Sequence, residues 1–346
     1  MKRNILITGG AGFIGSCFVK LWIKKYPNDL ILVLDKLTYA GNISNLKELI
    51  EKDQIVFVKG DISDSFLVDK LFKRYLINHI VNFAAESHVD RSINEPKSFL
   101  ETNIFGTYSL LEIFRKNWEE NNKNKSWRFL HVSTDEVYGS LGKNDALFEE
   151  NTPYDPRSPY SASKASSDHL ALAWYHTFGI PLIVSNCSNN YGPFQYPEKL
   201  IPLSLINIMR GDFVNVYGDG ENIRDWLFVE DHCEALELII KSGRIGEKYC
   251  IGGGNEIRNI DLVRRLCDLM DLELIKNEKI LEHNTSRQLI RLISDRPGHD
   301  KRYAINFSKI KNELSWEPKT DIEKGLKKTI NWYINNKLWW EPLLSN

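Results

Sequence analysis

The sequence predicts an α/β fold, a doubly wound parallel sheet with a smaller mixed α/β second domain. Three observations point to it. The first half alternates short apolar runs with longer amphipathic stretches, the pattern of a parallel sheet covered by helices on both faces. A glycine-rich turn, Gly9-Gly-Ala-Gly12-Phe-Ile-Gly15, follows the first apolar run and opens the first amphipathic stretch. After about residue 187 the alternation stops, and Pro193, Pro197 and Pro202 punctuate a loop-rich region.

Taken in order, Ile5–Thr8, Leu30–Leu34, Ile55–Val58, His79–Ala84, Arg128–Ser133 and Pro181–Ser185 read as strands, being short runs rich in Ile, Leu and Val. Helices are expected near 13–26, 64–75, 100–120 and 159–178, and further elements near 199–210, 230–242, 260–271 and 321–336. No internal repeat or low-complexity linker separates the two parts, so they are expected in close contact, with a ligand cleft between them. The expected division is 1–186 for the nucleotide-binding domain, completed by 228–252 and 305–340. The second domain would be 187–227 plus 253–304.

At 346 residues the chain is too long for one minimal core. Its 42% hydrophobic and 26% charged residues are ordinary for a globular protein. A balance of 45 basic and 46 acidic residues gives a net charge of −1. Neither nucleic acid nor an anionic membrane is called for as a partner. The Met1-Lys-Arg start runs straight into the first strand, without the apolar stretch of a signal peptide, and no run reaches transmembrane length. Cys17, Cys187, Cys233, Cys250 and Cys267 are widely spaced, an odd set with no Cys-x-x-Cys. That favours reduced thiols packed as small core residues, and a cytoplasmic setting.

The glycine-rich turn has the strand-turn-helix context that a dinucleotide site needs. Gly9, Gly12 and Gly15 permit a tight turn, close approach of backbone to a pyrophosphate, and close helix–strand packing. The helix N-terminus supplies N–H donors and a positive dipole. Asp35 ends the second strand, 20 residues after Gly15. A carboxylate there suits the ribose hydroxyls of NAD and repels the extra phosphate of NADP. The fold is therefore expected to be Rossmann-like, with NAD as cofactor. For Asp61, after the third strand, two readings stay open: an acceptor for the adenine amino group, or a solvated loop aspartate.

Tyr160 and Lys164 lie one turn apart on one face of a predicted helix. A lysine ammonium there can lower a phenol's pKa toward that of a working general base. Thr134-Asp135-Glu136 closes the fifth predicted strand, with Tyr160 following Glu136 by 24 positions. An alcohol oxidation needs only the Tyr/Lys pair. The adjacent carboxyls add an acid and a base, or are simply a solvated strand-end pair.

With these motifs in place, the chain resembles the extended short-chain dehydrogenase/reductase superfamily, and within it the nucleotide-sugar 4,6-dehydratases of the dTDP-glucose type. The resemblance is carried by Gly9–Gly15, 35–42, 60–62, 84–93, Ser133–Gly139, Tyr160–Asp168, Asn186–Pro193, Pro197–Pro202, Arg224–Leu227 and Asp295–His299, in one order along nearly the whole chain. Asn215, Phe228 and Cys250 depart from it, standing where the pattern usually has proline, tyrosine and asparagine.

The resemblance implies three steps on a bound hexose. Tyr160 takes the proton of the sugar's 4-hydroxyl while hydride leaves C4 for NAD. Lys164 holds the phenol's pKa down and contacts the nicotinamide ribose, and Thr134 bonds near O4. Glu136 takes the C5 proton once the 4-keto group has acidified it, and Asp135 protonates the departing 6-hydroxyl. Hydride then returns to C6, leaving a 4-keto-6-deoxy sugar and regenerated, tightly held NAD. The implied setting is deoxysugar biosynthesis of the rhamnose type. The implied cofactor contacts are Phe13, Ile14, Asp35, Lys36, Leu37, Thr38, Asp61, Ile62, Ala84, Thr102 and Asn190, with the glycine turn, Tyr160 and Lys164. On the substrate side they are Ser87, His88, Thr134, Asn189, Lys199, Leu200, Val216, Tyr217, Arg224, Asn259, Asp295, Arg296 and His299. Arg224 and Arg296 suit a diphosphate through their forked donors. No metal site is implied, since no cluster has metal-ligand spacing and NAD suffices. A homodimer is implied, formed by pairing of the 100–117 and 159–178 helices through residues such as Leu100, Ile104, Leu111, Phe114, Leu170, Leu172, Trp174 and Phe178.

Three rivals remain. A nucleotide-sugar 4-epimerase would share the glycine turn and Tyr160/Lys164 without needing Asp135 and Glu136. A UDP-glucose 4,6-dehydratase would differ by one methyl on the base, worth only about 1–3 kcal/mol of discrimination. A non-catalytic NAD-binding scaffold would have no use for the four catalytic candidates together.

Overall fold

The computed structural model describes residues 3–276 and 285–344. Twelve strands occur among them: β1 (Asn4–Thr8), β2 (Leu30–Asp35), β3 (Val56–Lys59), β4 (His79–Asn82), β5 (Arg128–Thr134), β6 (Leu182–Cys187), β7 (Asn189–Tyr191), β8 (Val214–Tyr217), β9 (Ile223–Phe228), β10 (Lys248–Ile251), β11 (Glu256–Arg258) and β12 (Ile290–Ile293). The longer helices are α1 (Phe13–Lys25), α2 (Ser65–Tyr75), α3 (Thr107–Glu120), α4 (Pro159–Phe178), α5 (Leu200–Arg210), α6 (Val229–Ser242), α7 (Asn259–Lys276) and α8 (Ile322–Asn335).

Seven strands form a parallel sheet in the order β10-β6-β5-β4-β1-β2-β3. The expected doubly wound α/β fold is thus present. Alternation along each strand supplies both faces. On one, Ile5, Ile7, Val33, Leu130 and Ile183 pack against Phe18 and Trp22 of α1 and Leu236 and Ile239 of α6. On the other, Leu6, Leu32, Ile80, Phe129 and Val184 meet Phe72 of α2, Phe114 of α3 and Ala171 of α4. The chain order reverses between β1 and β4, and ligands bind at such a switch point, outside the carboxyl ends of the strands.

The smaller second domain has its own core, where Leu205 of α5, Val216 of β8, Trp226 of β9, Leu266 of α7 and Ile330 of α8 meet. The stretch 305–340 serves both cores: Ile310 and Trp316 pack into the first, Leu326 and Tyr333 into the second. No helix among the described residues is long and apolar enough to cross a membrane.

Two differences from the sequence expectation bear on function. The expected 100–120 helix is two pieces, a π-helical stretch Leu100–Gly106 and α3, preceded by a short helix Pro96–Phe99. The break coincides with Asn103, which accepts the Glu86 N–H at 2.9 Å and donates to Glu86 O at 3.0 Å and to Ser163 Oγ at 2.8 Å. A π-turn swings this side chain out of the helix to pin the loop after β4. The seventh strand, β10, was not foreseen as a strand; pairing with β6 defines it.

Candidate active site

The site is built from loops at the carboxyl ends of β1, β2, β4 and β5. Gly9 has φ +65°, and a Cβ there would lie 2.7 Å from Ala84 N. A Cβ on Gly15 would lie 2.3 Å from Gly9 O. Backbone from β1, α1 and the β4 loop therefore meets with no room for side chains, leaving the N-terminus of α1 open to the cleft. Asp35 accepts the Ala11 N–H at 2.9 Å and the Leu37 N–H at 2.8 Å. Burial pushes its carboxyl up, against those two bonds. Leu37 reaches this position with φ +55° and packs against the core beside α1 rather than facing the cleft. Lys36 and Asp61 pair at 2.7 Å. Burial raises the Asp61 carboxyl, but Lys36 and the Ser63 N–H outweigh it.

One cleft is lined by Gly9, Gly12, Phe13, Ile14 and Gly15, by Asp35, Lys36 and Thr38, by Asp61 and Ile62, and by Ala84, Ser87 and Thr102. Thr134, Asp135, Glu136, Tyr160, Lys164, Asn189, Asn190 and Lys199 line it too. A glycine cradle, a helix N-terminus and a carboxylate at the end of β2 fit a dinucleotide of the NAD type.

At the inner end, the Ser158 capping box starts α4 and directs Tyr160 and Lys164 toward the end of β5. Tyr160 is buried. Burial and the Glu136 carboxylate push its phenol well up, while the Thr134 hydroxyl opposes them. Lys164 donates to Val132 O at 2.9 Å, and burial lowers its pKa. Asp135 is 2% exposed. Burial, followed by the charges of Glu136 and Asp225, raises its carboxyl well above the usual range. Its Oδ2 has no hydrogen-bond partner. For Glu136, burial also raises the pKa, and Arg296, Lys199 and Arg224 offset part of that rise. Two neighbouring carboxyls thus sit in different fields, as separate acid and base roles require.

Of the substrate-side candidates, Ser87, Thr134, Asn189 and Lys199 line the cleft, whereas His88, Leu200, Val216, Tyr217, Arg224, Asn259, Asp295, Arg296 and His299 are not part of its lining. Lys199 donates to Ser87 O at 3.0 Å. His88 caps the helix Val89–Asn94 by accepting the Arg91 N–H at 3.2 Å, and burial lowers its pKa to about 4. Arg296 lies 3.5 Å from Asp90, and its buried Nε has no partner. Tyr217 donates to the same Asp90 at 3.2 Å and stacks edge-on against His299, which pairs with Asp295 at 2.6 Å. Arg224 is 5% exposed, with its donors on Ile223 O (2.8 Å) and Asp300 O (2.9 Å) and its plane over Tyr303. Asn259 begins α7 with a buried, unpartnered Oδ1. Val216 is core, and Leu200 packs against the same core at the start of α5.

Sequence reasoning missed Asn103, Glu198 and Tyr39. Tyr39 donates to Glu198 at 3.0 Å beside His88, and burial raises the pKa of that carboxyl. Asn103 left a trace in the sequence as a poor helix former within a predicted helix interior, and Tyr39 and Glu198 lie within the 35–42 and 197–202 motifs.

The family profile described as GDP-mannose 4,6 dehydratase matches residues 6–329. A dTDP-glucose 4,6-dehydratase of Escherichia coli is 52% identical over 352 residues, 99% of this chain and 96% of that protein. The crystal structure of a dTDP-glucose 4,6-dehydratase from Bacillus anthracis in complex with NAD is similar at a TM-score of 0.85 and 46% identity, covering 99% of both chains. One from Streptomyces venezuelae, with NAD and TYD bound, gives a TM-score of 0.87 at 42% identity over 99% of this chain and 100% of that one. With its glycine cradle, Tyr160/Lys164 helix and paired carboxyls, the chain belongs to the GDP-mannose 4,6-dehydratase family of nucleotide-sugar dehydratases.

Proposed function

We propose that this protein is a dTDP-glucose 4,6-dehydratase. It converts dTDP-glucose to dTDP-4-keto-6-deoxyglucose and water and uses NAD within each turnover. Full-length similarity to dTDP-glucose 4,6-dehydratases at about half identity supports the substrate. The observation that carries the chemistry is the placement of Asp135 and Glu136 in the same cleft as Tyr160 and Lys164. A 4-epimerase has no use for that second pair.

NAD, when bound, would supply two-electron hydride chemistry, accepting from C4 and donating to C6. Gly9, Gly12, Gly15 and the α1 N-terminus would hold its pyrophosphate and Asp35 its ribose, while Lys36, Thr38, Asp61, Ile62, Ala84, Thr102 and Asn190 would line the rest of its cleft. Tyr160 takes the O4 proton, with the Thr134 hydroxyl beside it. Glu136, held toward its ionised form by Arg296, Lys199 and Arg224, takes the C5 proton. Asp135, whose carboxyl burial raises well above the usual range, gives a proton to the departing 6-hydroxyl. The order is forced, because C5–H becomes acidic only next to a carbonyl. Arg296 and Lys199 face the diphosphate side. The division into 1–186 with 228–252 and 305–340, against 187–227 with 253–304, goes with this reading, as does a cytoplasmic setting.

A homodimer also goes with it. Leu111 and Phe114 are core residues, but Leu100, Phe105, Tyr108 and Phe178 remain exposed on the helices in question. These side chains offer an apolar face for a second copy.

Purified protein given dTDP-glucose or UDP-glucose, followed by product mass and keto-sugar formation, tests the reading. Loss of one water with faster turnover of the dTDP sugar is expected. Intact mass with inversion at C4 would make the protein an epimerase instead.

A further inference from the structure

We propose that Asp168 is a positioning residue for this reaction: from one helical turn behind Lys164, its buried carboxylate keeps the Lys164 ammonium charged beside Tyr160. The proposal rests on the reading above, since it needs Tyr160 and Lys164 to carry the oxidation.

Tyr160, Lys164 and Asp168 follow one another at four-residue steps on α4 and so share a face. Lys164 and Asp168 are 4% and 0% exposed. The ammonium's hydrogen-bond partner is a neutral carbonyl, Val132 O. Asp168 is not part of the cleft wall, so it acts on the reaction through its neighbours, of which Lys164 is the charged one in the cleft lining. Its Oδ2 accepts from Tyr154 at 3.0 Å and from Asn186 Nδ2 at 3.1 Å, and Asn186 also donates to Thr134 O at 3.1 Å. Its Oδ1 faces His131 Nε2 at 3.2 Å.

His131 is not the cation that balances Asp168. It is fully buried on β5, and burial followed by the Lys164 charge lowers its pKa. Asn82 Nδ2 lies 3.3 Å from its Nδ1. A side-chain amide nitrogen donates, so Nδ1 accepts and the ring proton sits on Nε2, which lies 3.1 Å from Ser167 Oγ and 3.2 Å from Asp168 Oδ1. Lys248 of β10 feels Asp168 as well, but its ammonium lies over the Tyr154 ring and is lowered by burial. Tyr138, Tyr154 and the Cys250 thiol face the same pocket and are held neutral by burial. On the Lys164 side the other group is the Cys187 thiol of β6, also raised by burial. Asp168 is thus the carboxylate that opposes the desolvation of Lys164, and burial of Asp168 is in turn outweighed by His131 and Lys164. A buried ammonium stripped of its counter-charge releases its proton.

The test is Asp168→Asn in the NAD-loaded enzyme, with kcat/KM for dTDP-glucose measured against pH. The alkaline limb should move about one pH unit toward neutral, with KM within about twofold, and with about tenfold less activity above the shifted limb. Tyr154→Phe, which removes a hydrogen bond but no charge, should leave the limb in place. Wild-type dehydration together with an unmoved Asp168→Asn limb overturns the proposal alone. A wild type that eliminates no water overturns the functional reading and the proposal with it. Should Asp168→Asn fail to fold, the double variant Lys164→Met/Asp168→Asn decides. Recovery of folding supports the buried pair, and equal failure overturns it.

Discussion

Thr134 Oγ1 donates to Asp135 Oδ1 at 3.3 Å and accepts the Glu136 N–H at the same distance. One hydroxyl thereby ties down one oxygen of Asp135 and leaves Oδ2 unpartnered in a buried setting. A carboxyl held this way has its free oxygen available to carry a proton that a leaving hydroxyl can collect. Replacing Asp135 by Asn should slow water loss by about 10²–10⁴-fold. Oxidation at C4 should survive, so enzyme-bound NADH absorbance should accumulate in a single turnover. An unchanged dehydration rate would remove Asp135 from the acid role.

Glu136 differs because three cations face it. Glu136→Gln should block exchange of the C5 proton with deuterated solvent while leaving part of the C4 oxidation intact. Mass spectrometry of recovered nucleotide sugar reads both. Deuterium entering C5 at the wild-type rate would reject Glu136 as the base.

Tyr160→Phe keeps the edge-on packing with Phe99 and removes only the phenol. Transient NADH formation should fall by about 10²–10⁴-fold. Cofactor content, read from the absorbance of the purified protein, should stay near that of the wild type.

Much of this was legible in the sequence because the central strands are buried on both faces. β1 and β2 are runs of Ile, Leu and Val that carry their own signal. β10, Lys-Tyr-Cys-Ile, has no such run and is a strand because β6 is beside it. The catalytic candidates were legible by type and spacing. Their fields were not, because Arg296, Lys199 and Arg224 reach Glu136 from distant parts of the chain. Spacing alone suggested that Lys164 depresses the phenol's pKa. In the fold, burial and Glu136 dominate Tyr160 in the opposite direction. The π-turn at Asn103 arises from contacts with Glu86 and Ser163 that no local pattern encodes.

Gly9→Ala tests the cradle. The new Cβ would lie 2.7–2.8 Å from Ala84 and Phe83 backbone atoms, and φ +65° would strain any L side chain. Backbone cannot step aside as a flexible side chain can. The variant should lose bound NAD on purification and melt several degrees lower, both read on the isolated protein without substrate.

His79 sets an acid limit on stability. It is buried on β4, where burial and the charges of Arg3 and Arg128 lower its pKa to about 4. The unfolded chain binds this proton near pH 6.5, the folded protein only near 4. Between those values the unfolded state holds more protons, so stability rises with pH and is lost as pH falls from 6.5 to 4. The loss from this residue approaches ~3 kcal/mol at the lower end. His79→Gln carries no titrating group, so its melting temperature should fall less steeply across the same window. Measured at pH 7.5, above both pKa values, the variant should show no benefit of this origin, and any difference there reports packing alone. Parallel melting curves of the two proteins from pH 7.5 to 4 would disprove the assignment.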